Sequence, residues 1–198
     1  MDTTYNELRF WQQRYASGLD SGPGSGGAEA AWKVEQIVQA CKRRRIESIL
    51  DLGCGDGRVG RAVVERIPGA TYLGIDQAPA ALEQARKVAL PEMAYGEFDL
   101  TVAELPQADL VLCLDVLFHL SSAERHAAAI AKVVAAFRRV AIVAAWNPGI
   151  VDLYRGEFAP HTIYRPFAVA DSTVRVDELA LPMVPQKSLY VLTRPRRR

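Results

Sequence analysis

Between residues 46 and 145 the chain alternates short apolar runs with helix-like stretches, and that rhythm excludes most folds. The runs IESILDL, ATYLGID, MAYGEFDL, ADLVLCLD and RVAIVAA have the length and composition of strands, while residues 58–66, 79–89 and 121–137 carry apolar side chains at helical spacing. Successive strands can lie parallel only if the chain crosses back over the sheet between them, and intervening helices make those crossovers right-handed. The expected core is therefore α/β: a Rossmann-like, mostly parallel sheet with helices on both faces.

The flanks differ from this core. The segments VRVDELAL and SLYVLTR near the C-terminus are joined only by residues 182–187, too short for a parallel crossover, so the sheet should close with an antiparallel pair and reach seven strands. At the other end Tyr5, Leu8, Trp11 and Tyr15 recur at steps of three and four, which predicts a helix over 4–17 with an aromatic face. Residues 18–27, GLDSGPGSGG, then make a loop or hinge. Ala31, Val34, Ile37, Val38 and Cys41 form one stripe of a helix over 28–45, with Lys42 to Arg45 at its C-terminal end. Residues 1–45 thus read as a helical lid and lead-in helix, and 46–198 as the core of a single domain.

With 49% hydrophobic and 24% charged residues the chain suits a globular protein, and no apolar run is long enough to span a bilayer. The start, Met1-Asp2-Thr3-Thr4, lacks the basic and apolar regions of a secretory signal, so the expected address is cytoplasmic. A net charge of +1 gives no general attraction to nucleic acid or membrane, although Lys42 to Arg45 and Arg194 to Arg198 are locally basic. The three cysteines, Cys41, Cys54 and Cys113, form no CxxC pair, which argues against a disulfide framework and against a zinc site.

The loop Asp51-Leu-Gly-Cys-Gly-Asp-Gly57 follows the first strand and precedes a helix, the context in which glycines let a backbone approach a ligand. Gly55 to Gly60 spells G-x-G-x-x-G, but with Gly53 at the start of the loop the third glycine position falls on Arg58. Asp51 at the end of that strand would repel a pyrophosphate and suits a cationic ligand. Asp76 and Asp99 close the second and third strands, on the edge where doubly wound sheets bind ligands; they are placed to accept from ribose hydroxyls and from an adenine amino group. Any one such acid is ordinary turn chemistry; three at successive strand ends point to a binding edge.

ILDLGCGDG, YLGID, GEFDL and DLVLCLDVLFHL resemble the successive motifs of class I S-adenosylmethionine-dependent methyltransferases, over residues 46–194. The resemblance implies S-adenosyl-L-methionine as cofactor and S-adenosyl-L-homocysteine as product. Gly53, Gly55 and Gly57 with Asp51 would then shape the methionine end of the site, Asp76 would hold the ribose, and Asp99 with Leu100 the adenine. Asp115 would belong to the same pocket, and Trp11 and Tyr15 of the lid would cover it. The segment FWQQRYASG, followed by SGPGSGG, is similar to that of a bacterial subgroup tied to glycan or specialised metabolism.

A sulfonium makes its methyl group electrophilic, so the protein must mainly align a nucleophile and, for a hydroxyl, remove its proton. His119, four residues after Asp115, and His161, in APHTIYRPF, are the candidate bases, with Arg165 orienting the acceptor; His126 reads as solvated. Residues 147–172 form a long connection carrying Tyr154, Arg155, Phe158, Tyr164 and Phe167, suited to a substrate pocket, and Arg155 and Arg165 suit a carboxylate or phosphate. Asp115 with Asn147 resembles the cation site of magnesium-dependent catechol-type methyltransferases, but Trp146 stands where the resemblance would place their second acidic ligand, so no metal is expected. The reading is methyl transfer to a small polar metabolite or sugar, as O-methylation. The alternatives are a nucleic-acid methyltransferase, which the RPRRR tail supports but no Asn-Pro-Pro-aromatic or Pro-Cys sequence does, and a non-catalytic cofactor-binding partner.

Overall fold

A computed structural model describes residues 5–147 and 167–195. Two helices precede the sheet, α1 (Glu7–Ala16) and α2 (Gly27–Cys41), with a short 3-10 turn at Pro23–Ser25 between them. The core then runs β1 (Ser48–Leu52), α3 (Arg58–Arg66), β2 (Thr71–Asp76), α4 (Pro79–Lys87), β3 (Met93–Glu97), β4 (Ala108–Leu114), α5 (Ala123–Ala136), β5 (Phe137–Trp146), β6 (Arg175–Leu181) and β7 (Val184–Thr193). A 3-10 turn at Leu117–His119 separates β4 from α5.

The seven strands lie in the order β3-β2-β1-β4-β5-β7-β6, and β7 is antiparallel to both its neighbours. Because the order reverses beside β1, the ends of β1 and β4 splay apart there and leave a crevice at their C-terminal edge. Strand alternation divides the core in two. Leu50 and Leu52 pack with Val133 and Ala129 of α5, while Ile49 packs on the opposite face with Val34 and Ile37 of α2 and Val63 of α3.

Local chemistry sets the ends of the elements. Ser122 caps α5, its Oγ accepting from Arg125 N at 3.2 Å, and Asn6 caps α1 by accepting from Arg9 N at 2.8 Å. Pro79 opens α4, where its missing N–H costs nothing. The lead-in helix stops at Cys41, four residues short of the expected end, and Lys42 to Arg45 form an exposed turn beyond it. The third strand stops at Glu97 because Asp99 Oδ1 accepts from Thr101 N at 2.9 Å and bends the chain. The C-terminal hairpin is tighter than expected: only Pro182 and Met183 lie between the strands. Pro185 sits where the β6–β7 register shifts, so no ladder bond is lost to it.

Candidate active site

The crevice at the end of β1, β2 and β4 is closed above by α1. Its walls include Gly53, Gly55, Asp76, Asp99, Leu100, Asp115 and His119 from the core, and Trp11 and Tyr15 from α1. Gly53 and Gly55 hold φ of 76° and 54°, a region that favours glycine. They also leave no room for a side chain: a Cβ on Gly53 would come 2.5 Å from Val116 Cγ2, and one on Gly55 2.7 Å from the Tyr15 hydroxyl. Tyr15 OH in turn shares a 2.8 Å bond with Ser21 Oγ, so the aromatic face of α1 rests on the glycine loop through the hinge.

The acids of the strand ends take different roles. Asp76 accepts from Gly55 N at 3.0 Å and from Ala78 N at 2.9 Å, and burial raises its pKa. Asp99 is bonded by Thr101 N and Oγ1 at 2.9 and 2.7 Å and by Arg125 Nη2 at 2.9 Å. Burial pushes its pKa up, but the Thr101 and Arg125 bonds outweigh it and hold the carboxyl below its ordinary range. Asp115 is the one non-glycine residue with positive φ among the described residues, at 59°. Its carboxylate pairs with Lys33 and, at 3.2 Å, with Lys187; these lysines outweigh burial and keep its pKa low.

Two expected cofactor residues face elsewhere. Asp51 is 3% exposed and is not on the crevice wall; it accepts from the Tyr72 hydroxyl at 2.7 Å behind the glycine loop, and burial raises its pKa to about 7. Gly57, with φ of 76°, forms the N-terminal cap of α3 and packs on Tyr95 and Ala85 rather than on the crevice. His126 is buried at 5% exposure, not solvated, because it shares the α5 stripe of Ala129 and Val133. His119 does reach the crevice, edge-on to Trp11 with ring centroids 4.8 Å apart. Burial lowers its pKa to about 3, Asp115 only partly opposing this, so the imidazole is neutral and a poor proton acceptor at neutral pH. His161, Arg155 and Arg165 lie outside the described residues.

Glu7, Glu29, Lys33, Arg125 and Lys187 were not singled out by the sequence. Glu29, Lys33, Asp115 and Lys187 form a buried network, with Lys33 2.8 Å and Lys187 2.9 Å from Glu29 Oε1. Lys33 Nζ also donates to Gly24 O at 2.8 Å, which ties the hinge to the crevice wall. Glu7 of α1 lines the crevice and pairs with Arg125 at 2.7 Å. Only the Glu29–Lys33 spacing of four on one helix was visible in advance; the remaining pairs join distant segments. With Asp115 engaged by two lysines and Asn147 Nδ2 donating to Pro185 O at 3.3 Å, that pair does not present a cation site.

Residues 50–141 match the model of a family described as a methyltransferase domain. A trans-aconitate 2-methyltransferase of Enterobacter sp. (strain 638) is 38% identical over 73 residues, 37% of this chain and 29% of that protein. The match therefore spans about a third of the relative's length. Among solved structures, the N-methyltransferase NodS of Bradyrhizobium japonicum WM9, in complex with S-adenosyl-L-homocysteine, has a TM-score of 0.69 at 14% identity and covers 98% of this chain and 100% of its own. The S-adenosylmethionine-bound amino pentose methyltransferase CalS10 of Micromonospora echinaspora has a TM-score of 0.66 at 22% identity, over 87% of this chain and 94% of its own. The sheet order, the antiparallel β7 and the glycine loop after β1 give the chain the fold of the class I S-adenosylmethionine-dependent methyltransferases, and residues 50–141 within it match a methyltransferase domain.

Proposed function

We propose that the protein transfers the methyl group of S-adenosyl-L-methionine to an oxygen of a small polar metabolite, and that the acceptor is a carboxylate. One observation carries the cofactor assignment. With the buried pairs behind its wall included, the crevice sets Glu7, Glu29, Asp76, Asp99 and Asp115 against Arg125, Lys33 and Lys187, and this excess of acids favours a ligand with net positive charge over an anionic one. When bound, the sulfonium supplies an electrophilic methyl group.

The chain's own residues then do the following. Asp76 retains a lone pair on each oxygen for the ribose hydroxyls, since each already accepts one loop amide. Asp99 Oδ2, with one bond from Arg125, can accept from the adenine amino group beside Leu100. Gly53 and Gly55 allow the backbone to approach the methionine portion, and α1 with Trp11 and Tyr15 shields the reacting centre from water as a lid.

The acceptor class follows from proton accounting. A hydroxyl needs a base, and His119 is held at about 3 and serves poorly as one. A carboxylate arrives ionised and needs only alignment. Arg165 would orient it, and His161 would act as base only for a hydroxyl acceptor. The similarity to trans-aconitate 2-methyltransferases supports a small acid as substrate. The test is a methyl-transfer screen with labelled cofactor across di- and tricarboxylates, sugars, small phenols and RNA. Transfer to a carboxylic acid, giving a base-labile ester, is the expected result; transfer only to sugars, amines or RNA would overturn the acceptor class.

A further inference from the structure

Arg125 stands where the adenine end of the crevice meets α1. Its Nη2 donates to Asp99 Oδ2 at 2.9 Å and its Nε lies 2.7 Å from Glu7 Oε1. The Ser122 cap fixes its backbone in the first turn of α5. Glu7 is only 7% exposed, and a carboxylate so buried needs a cation beside it. Asp99 Oδ1 is already taken up by Thr101, so the direction of Oδ2 depends on the guanidinium.

The other fastenings of α1 lie nearer its C-terminal end. Gln12 Oε1 accepts from Ala80 N at 3.1 Å, and Gln84 Nε2 donates to Tyr15 O at 3.0 Å. Beyond α1, Asp56 Oδ2 accepts from Ser21 N at 3.1 Å. The Glu7–Arg125 pair therefore holds the N-terminal end of α1 down over the adenine side.

We propose that Arg125 is a positioning residue that couples cofactor capture to closure of α1, by holding Asp99 and Glu7 on one guanidinium. The proposal rests on the adenine site assigned above. A purine amino group that fixes Asp99 fixes the guanidinium, and a fixed guanidinium holds Glu7. By reciprocity, a docked Glu7 holds Asp99 ready for the purine.

The experiment uses the full chain with S-adenosyl-L-homocysteine as the probe, reading affinity by calorimetry and closure by protease cleavage within residues 18–27. In the unaltered protein the probe should slow cleavage. Arg125→Gln should weaken the probe by roughly ten- to a hundredfold and abolish the protection. Glu7→Gln should abolish the protection with a smaller loss of affinity. The double variant should bind no more weakly than Arg125→Gln, because both side chains act through one bond system. Arg125→Lys should recover part of the affinity, its charge being kept and its fork lost.

Additive losses in the double variant, or native affinity and protection in Arg125→Gln, would overturn the coupling. Should Arg125→Gln not fold, Glu7→Gln decides alone: lost protection in a folded protein supports the coupling, and retained protection overturns it. Absence of probe binding by the unaltered protein overturns the cofactor assignment, and the coupling with it.

Discussion

Tyr72 donates its hydroxyl hydrogen to Asp51 at 2.7 Å, and this bond closes the space behind the glycine loop. Asp51 lies between Leu50 and Leu52, which share one face of the sheet, so its own side chain enters the opposite core with Ile49 and Tyr72. Its pKa rises from 3.8 to about 7 because burial disfavours the charge, the Tyr72 bond only partly offsetting this. Between those values the folded protein keeps a proton that the unfolded chain has lost, so Asp51 makes stability fall as pH rises from about 4 to 7. Asp51→Asn should remove that slope and stabilise the protein at pH 7 by no more than about 4 kcal/mol, with no gain near pH 4. Urea unfolding of both proteins between pH 4.5 and 8 measures the difference; parallel stability curves would contradict it.

Asp76→Ala should have two separable effects. Loss of the ribose acceptor should weaken S-adenosyl-L-homocysteine by about 1.5–3 kcal/mol in calorimetry. Loss of the acceptor for Gly55 N and Ala78 N should lower stability by about 1–3 kcal/mol in denaturant. Unaltered affinity in a folded variant would remove the ribose assignment.

Gly24 tests the seat of the hinge. A Cβ there would come 2.2 Å from Asp115 Oδ2 and 3.2 Å from Lys33 Nζ, both held in the buried network. Gly24→Ala should displace the hinge and lower turnover by roughly ten- to a hundredfold, since small misplacements at a reacting centre cost that much. Circular dichroism should remain native, because the sheet does not depend on the hinge.

Lys33 is 1% exposed, and its ammonium serves Glu29, Asp115 and the Gly24 carbonyl. Lys33→Met would leave two buried carboxylates to Lys187 alone, a loss of about 3–5 kcal/mol by denaturant unfolding. Asp115 should then titrate at higher pH than in the native protein, as its largest favourable charge is gone. Destabilisation of the variant should therefore ease in acid.

Periodicity was enough for most of the sheet and its helices. Arg58–Arg66 forms the helix over the expected residues because Gly57, in the left-handed region, starts it sharply. Asp76 and Asp99 were visible as acids at strand ends, and both line the crevice. What was hidden depends on long-range geometry. Lys187 meets Glu29 across 158 residues, and Glu7 meets Arg125 only because α1 folds back over the sheet. The placement of Asp51 was hidden for a different reason: its position in the loop motif suggested the ligand side, whereas strand alternation beside Leu50 and Leu52 sends its side chain behind the loop.

Catalysis without a histidine base is the sharpest consequence of the carboxylate reading. His119 touches Trp11 and lines the crevice, yet burial holds its pKa at about 3, so its neutral imidazole is too weak a base to take up a proton at neutral pH. A carboxylate acceptor is ionised throughout the neutral range, so kcat/KM should be flat from pH 6 to 8, with no limb near the ordinary histidine value. His119→Gln should keep turnover within about threefold, whereas loss of a true general base costs roughly 10² to 10⁴. Arg165→Ala should act on KM for the acid more than on kcat, as expected of a group that binds the acceptor equally before and during transfer. A bell-shaped profile with an inflection near pH 6.5, together with a hundredfold loss in His119→Gln or His161→Gln, would instead assign a hydroxyl acceptor and return one of these histidines to the role of base.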